Sequence, residues 1–162
     1  MTGTTRVAAF MLALCIGLGI QASAQGPAPA GKKQIYSETA DPKAAIAAGL
    51  RQAKLEHKRV IIDFGGDWCG DCQVLDIYFH QPVNFALLQK NFVLVHVFIK
   101  ETMDNNIELA AKYGVPIAKG VPALAILDAN GTVIYSQKTG QFNSMRNMDP
   151  GSVNEFLNHW KG

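Results

Sequence analysis

Residues 61–72 read IIDFGGDWCGDC, and this stretch sets the interpretation of the whole chain. Its first four residues continue an apolar run from Val60 that two glycines end, which predicts a short strand buried on both faces. The two cysteines follow at the predicted start of a helix. Unpaired backbone N–H groups there stabilise a thiolate, the species that attacks a disulfide. A second cysteine three positions on lies one helical turn away, so the spacing fits a two-step redox cycle.

Helical and strand patterns alternate on both sides of this stretch. Asp41-Pro42 supplies an N-cap and a first-turn proline for an apolar helical pattern that runs to Lys58. Farther on, the patterns predict helices at 74–79, 82–90 and 105–113, a buried strand at 92–99, an antiparallel pair at 122–127 and 132–136, and a final helix from 149 to about 160. This order predicts an α/β fold in which a central mixed β-sheet carries helices on both faces.

The first residues have the pattern of a secretory signal peptide. One basic residue and an apolar run precede Ala22-Ser23-Ala24, a small-residue cleavage pattern, so residues 1–24 are predicted to be removed after Ala24. The run is too short for a comfortable membrane span, and no stable membrane insertion is expected after cleavage. Residues 25–35 then predict a flexible leader rich in Pro, Ala, Gly and Lys, and residues 36–162 the folded domain.

Two separated motifs resemble the thioredoxin family, over roughly residues 41–160. Besides residues 61–72, the segment KYGV at 112–115 followed by GVPAL at 120–124 is similar to the family's second signature. The resemblance implies a thioredoxin fold and a thiol:disulfide oxidoreductase, with Cys69 as the nucleophile and Cys72 as the more buried, resolving thiol.

The resemblance also implies roles for four further residues. Asp63 matches a buried carboxylate that assists proton transfer at the second cysteine, since apolar surroundings favour the neutral form of a carboxyl group. Pro122 matches the family's cis-proline, which places the backbone of Val121 beside Cys69 to pair with an extended substrate segment. Trp68 is expected to pack beside the motif and shape the docking surface.

Three departures from the family pattern point to a specialised relative. Asp71 stands where thioredoxins commonly carry proline, so Gly70 and Asp71 are expected to tune the redox potential. The loop 115–119 is longer than in compact thioredoxins, and the helix after Cys72 lacks a kinking proline. With the leader, this pattern resembles periplasmic thioredoxin-like proteins and the exported C-terminal domain of the membrane reductant DsbD.

These observations together predict a periplasmic oxidoreductase that acts on protein thiols and disulfides and needs no cofactor. The reducing direction is favoured because no histidine lies between Cys69 and Cys72, and a membrane electron donor of the DsbD type is then an implied partner. The formal net charge of +2 gives no electrostatic reason to expect nucleic acid as a partner.

The cysteine pair has three alternative interpretations. A structural zinc site normally needs four ligands, and the chain has no second cysteine pair, so no metal is expected. The histidines are scattered at positions 57, 80, 96 and 159. A purely structural disulfide would close too short a loop to stabilise the fold much. A thioredoxin-fold binding module, in which the disulfide is structural or non-catalytic, is the alternative from another functional class.

Overall fold

A four-stranded mixed sheet organises the chain in the computed structural model, which describes residues 31–162. The helices and strands are α1 (Pro42–Glu56), β1 (Arg59–Gly65), α2 (Gly70–Phe79), α3 (Pro82–Asn91), β2 (Phe92–Phe98), α4 (Ile107–Lys112), β3 (Ala123–Leu127), β4 (Val133–Ser136) and α5 (Gly151–Trp160). The strand order is β2-β1-β3-β4. β1 pairs with β2 in parallel and with β3 antiparallel, and β3 pairs with β4 antiparallel. The predicted fold class is confirmed.

Helices cover the sheet on both faces, as predicted. One apolar cluster joins α1 and α4 to Val60, Ile62 and Phe64 of β1, and the other joins α2, α3 and α5 to Ile61. This alternation follows from the pleat of a strand, in which successive side chains point to opposite faces. Because both faces are covered, all of β1 beyond Arg59 is buried.

The boundaries of α1 follow from local chemistry. The carboxylate of Asp41 accepts hydrogen bonds from two N–H groups of the first turn. Pro42 takes the first helical position, where an N–H group would have no hydrogen-bond partner within the helix, so its absence in proline costs nothing. The helix ends at Glu56, and the next residue, His57, caps it with a left-handed backbone whose φ is 55°.

The cysteine helix begins earlier than the apolar pattern indicates. The sequence predicts a helix from 74 to 79, whereas α2 starts at Gly70 with Cys69 as its N-cap. The first turn carries glycine, aspartate and cysteine instead of an apolar stripe, so periodicity does not detect it. The cysteine pair therefore lies at the start of a helix, as the sequence analysis predicts.

Residues 32–162 form one folded unit. This unit includes residues 32–35, which the sequence analysis predicts to be part of the leader. These residues make polar contacts with the domain, and such contacts are not visible in apolar periodicity. The predicted signal peptide and most of the predicted leader lie outside the described residues. Between residues 31 and 162, no helix is both long and apolar enough to cross a membrane.

Candidate active site

Cys69 and Cys72 lie at the start of α2 and form a disulfide in this structure. The backbone N–H of Cys72 donates a hydrogen bond to Cys69 Sγ over 3.2 Å, so the sulfur of Cys69 sits where the helix start presents its unpaired donors. Cys69 is 6% exposed and Cys72 is fully buried. Of the two cysteines, Cys69 is therefore the one that keeps some exposure to solvent.

The loop before β3 lies against this sulfur. Cys69 Sγ is 3.4 Å from the carbonyl oxygen of Val121, and the peptide bond between Val121 and Pro122 is cis, as the resemblance implies. The buried side chain of Gln137 supports the loop, since its Nε2 donates to the carbonyl of Pro122 and its Oε1 accepts from the N–H of Leu124. The structure therefore brings the two predicted motifs together at one sulfur atom.

Asp63 is buried in the middle of the sheet and has two side-chain partners. The hydroxyl of Tyr36 donates to Asp63 Oδ2 over 2.7 Å, and Nδ1 of His96 lies 3.1 Å from the same oxygen. His96 is the register partner of Asp63 on β2. Burial, and then the charge of Asp63, raise the pKa of Tyr36 well above its ordinary value, so that hydroxyl remains a donor.

The other oxygen of this carboxylate has no hydrogen-bond partner among the described residues. A buried carboxylate oxygen without a donor is costly in a structural ion pair, and such groups are concentrated at functional sites. His96 is the member of the group whose side chain is 23% exposed. The Tyr36–Asp63–His96 cluster thus extends from the buried carboxylate to solvent.

Gly65 links this cluster to the cysteine pair. A Cβ atom at Gly65 would lie 2.5 Å from the Tyr36 hydroxyl oxygen and 2.9 Å from Cys72 Sγ. The two side chains therefore converge on one point of the β1 backbone, and only a residue without a side chain leaves them room.

Replacing Gly65 by alanine should consequently destabilise the protein and disturb the site. We expect a loss of about 1–3 kcal/mol of unfolding free energy, because overpacking forces neighbouring groups to shift. Chemical denaturation measures this loss, and Gly31→Ala is the matched control, since nothing lies within 4 Å of its added Cβ. Equal stability and activity of the two variants would contradict the packing described here.

Trp68 is partly buried beside the motif. Its indole Nε1 donates to the carbonyl oxygen of Ile99 over 2.7 Å, which ties the residue before Cys69 to the end of β2. Lys32 Nζ donates to the backbone carbonyl of Trp68 over 3.0 Å. The side chain thus packs beside the motif, while its predicted role in docking a substrate stays a prediction.

The residues before α1 lie along the start of α2. Oδ1 of Asp67 accepts from the backbone N–H groups of Ile35 and Tyr36. Lys33 exchanges hydrogen bonds with the Gln73 side chain, and its ammonium group lies 2.7 Å from Asp76. These contacts hold Tyr36 where its hydroxyl reaches Asp63.

Asp71, the residue directly before Cys72, is paired with Arg146. Arg146 donates to the Asp71 carboxylate from Nε over 3.2 Å, from Nη2 over 3.0 Å and from its backbone N–H over 3.0 Å. Burial acts to raise the pKa of Asp71, but the hydrogen bonds and charge of Arg146 outweigh it and leave the pKa below its usual value. Asp71 is therefore a carboxylate neutralised by a cation.

A family comparison agrees with this geometry. Residues 41–129 match the model of the family described as thioredoxin-like. The chain belongs to the thioredoxin-like family. This family match covers more than half of the chain, including the cysteine pair, Asp63 and Pro122.

Relatives of this thioredoxin-like protein include redox proteins from several organisms. A solved structure of a disulphide isomerase from Xylella fastidiosa Temecula1 is 31% identical, with a TM-score of 0.74 over 78% of this chain and 96% of that one. The thiol:disulfide interchange protein DsbD of Vibrio vulnificus is 33% identical over 94 residues, which are 57% of this chain and 15% of DsbD. Human thioredoxin is 32% identical over 72 residues, 44% of this chain and 59% of that protein. The chain thus spans only part of the curated relatives it matches.

Three residues at this thioredoxin-like site have no assigned role in the sequence analysis: Tyr36, His96 and Arg146. His96 is one of the scattered histidines of the sequence; it lies on β2, and its ring contacts Asp63. The signal that identifies it is the pairing of β1 with β2. In the described part of the chain, no three His, Cys, Asp or Glu residues group closely enough to hold a metal ion.

Proposed function

We propose that this protein is an exported thiol:disulfide oxidoreductase that reduces disulfides of protein partners in the periplasm. The observation that supports this proposal most strongly is the placement of Cys69 Sγ, the more accessible sulfur of the pair, 3.4 Å from the Val121 carbonyl at the cis-proline loop. An extended segment of a partner that paired with the Val121 backbone would bring its own disulfide to this sulfur.

In the proposed reaction, the Cys69 thiolate attacks one sulfur of the partner's disulfide. The new bond is a mixed disulfide, and the partner's other sulfur leaves as a thiolate that takes up a proton. Cys72 then loses its proton and attacks Cys69 Sγ, which forms the Cys69–Cys72 disulfide and releases the second thiol. The partner's disulfide gains two electrons and the cysteine pair loses them.

Asp63 is proposed to accept the proton of Cys72 in the second step. The support is that Asp63 is buried and that one oxygen of its carboxylate has no hydrogen-bond partner among the described residues. In addition, the Tyr36 hydroxyl, which binds Asp63, and the Cys72 sulfur both lie close to Gly65. Tyr36 would hold the carboxylate in place through its hydroxyl, and the partly exposed His96 would pass the proton on towards solvent.

Each turnover leaves the pair oxidised, so a dithiol reductant must restore it. In the periplasm a membrane electron donor of the DsbD type is the proposed source, with residues 1–24 proposed as the cleaved export signal. Gly70 and Asp71 between the cysteines are proposed to set the potential, and Trp68, Val121 and Pro122 to bind the partner.

A Cys72→Ser variant tests the exchange and identifies the partners. Without the resolving thiol, the mixed disulfide should persist, so proteins linked to Cys69 should be recovered after acid quenching of cells and separation under non-reducing conditions. The double variant Cys69→Ser, Cys72→Ser is the control and should trap none. Equal recovery from both variants, or from neither, would argue against disulfide exchange with proteins.

A further inference from the structure

We infer that Arg146 is a positioning residue that sets the redox potential of the Cys69–Cys72 pair by neutralising Asp71. This inference rests on the proposed function in that it concerns the same cysteines. Arg146 lies 75 positions from Asp71 in the sequence and belongs to neither of the two motifs.

The geometry of the pair is specific. Asp71 lies in the first turn of α2 and is 8% exposed, so an unpaired carboxylate there would carry a desolvation penalty. Arg146 meets it with three donors, two from the guanidinium and one from the backbone. A bidentate contact between a guanidinium and a carboxylate fixes both the relative orientation of the two groups and the distance between them, which a single surface ion pair does not.

The guanidinium also lies against the residue between the cysteines. A Cβ atom at Gly70 would have Cζ, Nε and Nη1 of Arg146 as its nearest neighbours, each at 3.7 Å. The cation therefore covers the Cys-Gly-Asp-Cys turn from outside, while its side chain keeps 68% exposure to solvent. It is held there by the fully buried side chain of the preceding residue, Met145.

This arrangement changes the electrostatic balance at Cys69. A carboxylate two residues away disfavours the thiolate, and the guanidinium cancels that effect. A stabilised thiolate favours the reduced state and raises the reduction potential, whereas a destabilised thiolate lowers it. Asp71 and Arg146 thus act with opposite signs on the same equilibrium.

Other charged and titratable groups lie near the cysteine turn or are linked to it by hydrogen bonds, and they stay the same in every variant compared below. They come from the segment before α1, β1, the β1–α2 loop, α2 and β2: Lys32, Tyr36, Asp63, Asp67, Asp76 and His96. Differences between the variants therefore report the Asp71–Arg146 pair.

Redox equilibration of the purified protein with glutathione, followed by quantification of its reduced fraction, tests the inference. Asp71→Asn leaves an unbalanced cation and should shift the equilibrium about threefold to tenfold towards the reduced pair. Arg146→Gln leaves an unbalanced carboxylate and should shift it by a similar factor towards the disulfide. The factor is modest because an exposed charge is screened, and it corresponds to about 15 to 30 mV in opposite directions.

Combined and conservative variants separate charge from structure. In the double variant Asp71→Asn, Arg146→Gln, the redox equilibrium with glutathione should return to within about twofold of that of the unsubstituted protein. The potential of Arg146→Lys should stay close to that of the unsubstituted protein, because the charge remains. Arg51→Gln and Asp104→Asn, at exposed positions away from the site, match the charge changes and should leave the potential unchanged.

A shift of both single variants in the same direction would mean that Arg146 only anchors its loop, and would overturn the inference. So would an absence of any shift, or an Arg146→Lys variant that behaves like Arg146→Gln. The potential is defined for the cysteine pair whether or not cells contain a partner. Failure of this test is therefore distinct from failure of the trapping experiment, which tests the proposed function.

Discussion

Replacement of Cys69 by serine should reduce the disulfide-exchange activity of the protein to the rate of the uncatalysed reaction. Activity here means the reduction of a model protein disulfide by dithiothreitol in the presence of catalytic amounts of this protein. The hydroxyl of serine is not ionised at neutral pH and is a far weaker nucleophile towards sulfur than a thiolate. Because Cys72 is fully buried, no other sulfur of the pair is within reach of a partner.

Cys72→Ser provides the comparison for this variant. It should lose turnover but keep the first step, so that one equivalent of mixed disulfide forms with the model substrate. Thermal unfolding of both variants under reducing conditions checks that the fold is intact. Full activity of Cys69→Ser would refute the enzymatic account and favour the alternative in which the fold is a binding module and the disulfide is non-catalytic.

Asp63→Asn is expected to have the second-largest effect on activity. Asparagine keeps the shape of the side chain and can still accept the hydrogen bond from Tyr36, but it does not take up a proton from Cys72. General acid–base groups typically contribute about 10²-fold or more to rate, so resolution of the mixed disulfide should slow by about that factor. Rapid-mixing measurements should then show a mixed disulfide that accumulates before it decays.

The rate constants of the two separate steps give this variant a second readout. If Asp63 is the proton acceptor, the variant should slow the resolution step alone, whereas the first attack by Cys69 should keep its rate. Asp104→Asn is the control, because the Asp104 side chain is exposed and its ion-pair partner, Lys100 at 3.8 Å, is exposed as well. An Asp63→Asn variant that resolves mixed disulfides at the original rate would remove Asp63 from the mechanism.

The placement of the candidate site residues, as distinct from their roles, follows largely from local sequence. The cysteine pair sits at a helix start, Asp63 is the one polar residue in the apolar run 60–64, and Pro122 lies within a recognisable signature. Each of these features is visible within a window of about twelve residues, where hydrophobic periodicity and breaker residues are informative. The structure places these residues around one pair of sulfur atoms.

The partners of these residues were not predictable in the same way. His96 meets Asp63 only because β1 and β2 pair in one register, and a shift by one residue would turn it to the other face. Tyr36 lies before α1 and reaches Asp63 because Asp67 binds the backbone at residues 35 and 36. Single-sequence patterns contain neither the register nor such polar contacts.

Arg146 illustrates the same limit for charge. Seen alone, Asp71 suggests a negative charge beside the thiols, with an uncertain net effect on the potential. The cation that neutralises it comes from a polar loop with no periodicity, and the buried side chain of Met145 positions it. The electrostatics of the motif therefore depend on tertiary structure, and the four residues of the motif are not sufficient to predict them.

The most direct test of the account is a stoichiometric transfer measured by mass spectrometry. Fully reduced protein, freed of small-molecule reductant, is mixed with a folded protein that carries one accessible disulfide, and both are alkylated after acid quenching. The account predicts that the substrate gains two alkylated thiols while Cys69 and Cys72 become resistant to alkylation, with a mixed disulfide through Cys69 at early times. A substrate that stays oxidised beside a cysteine pair that stays reduced would contradict it.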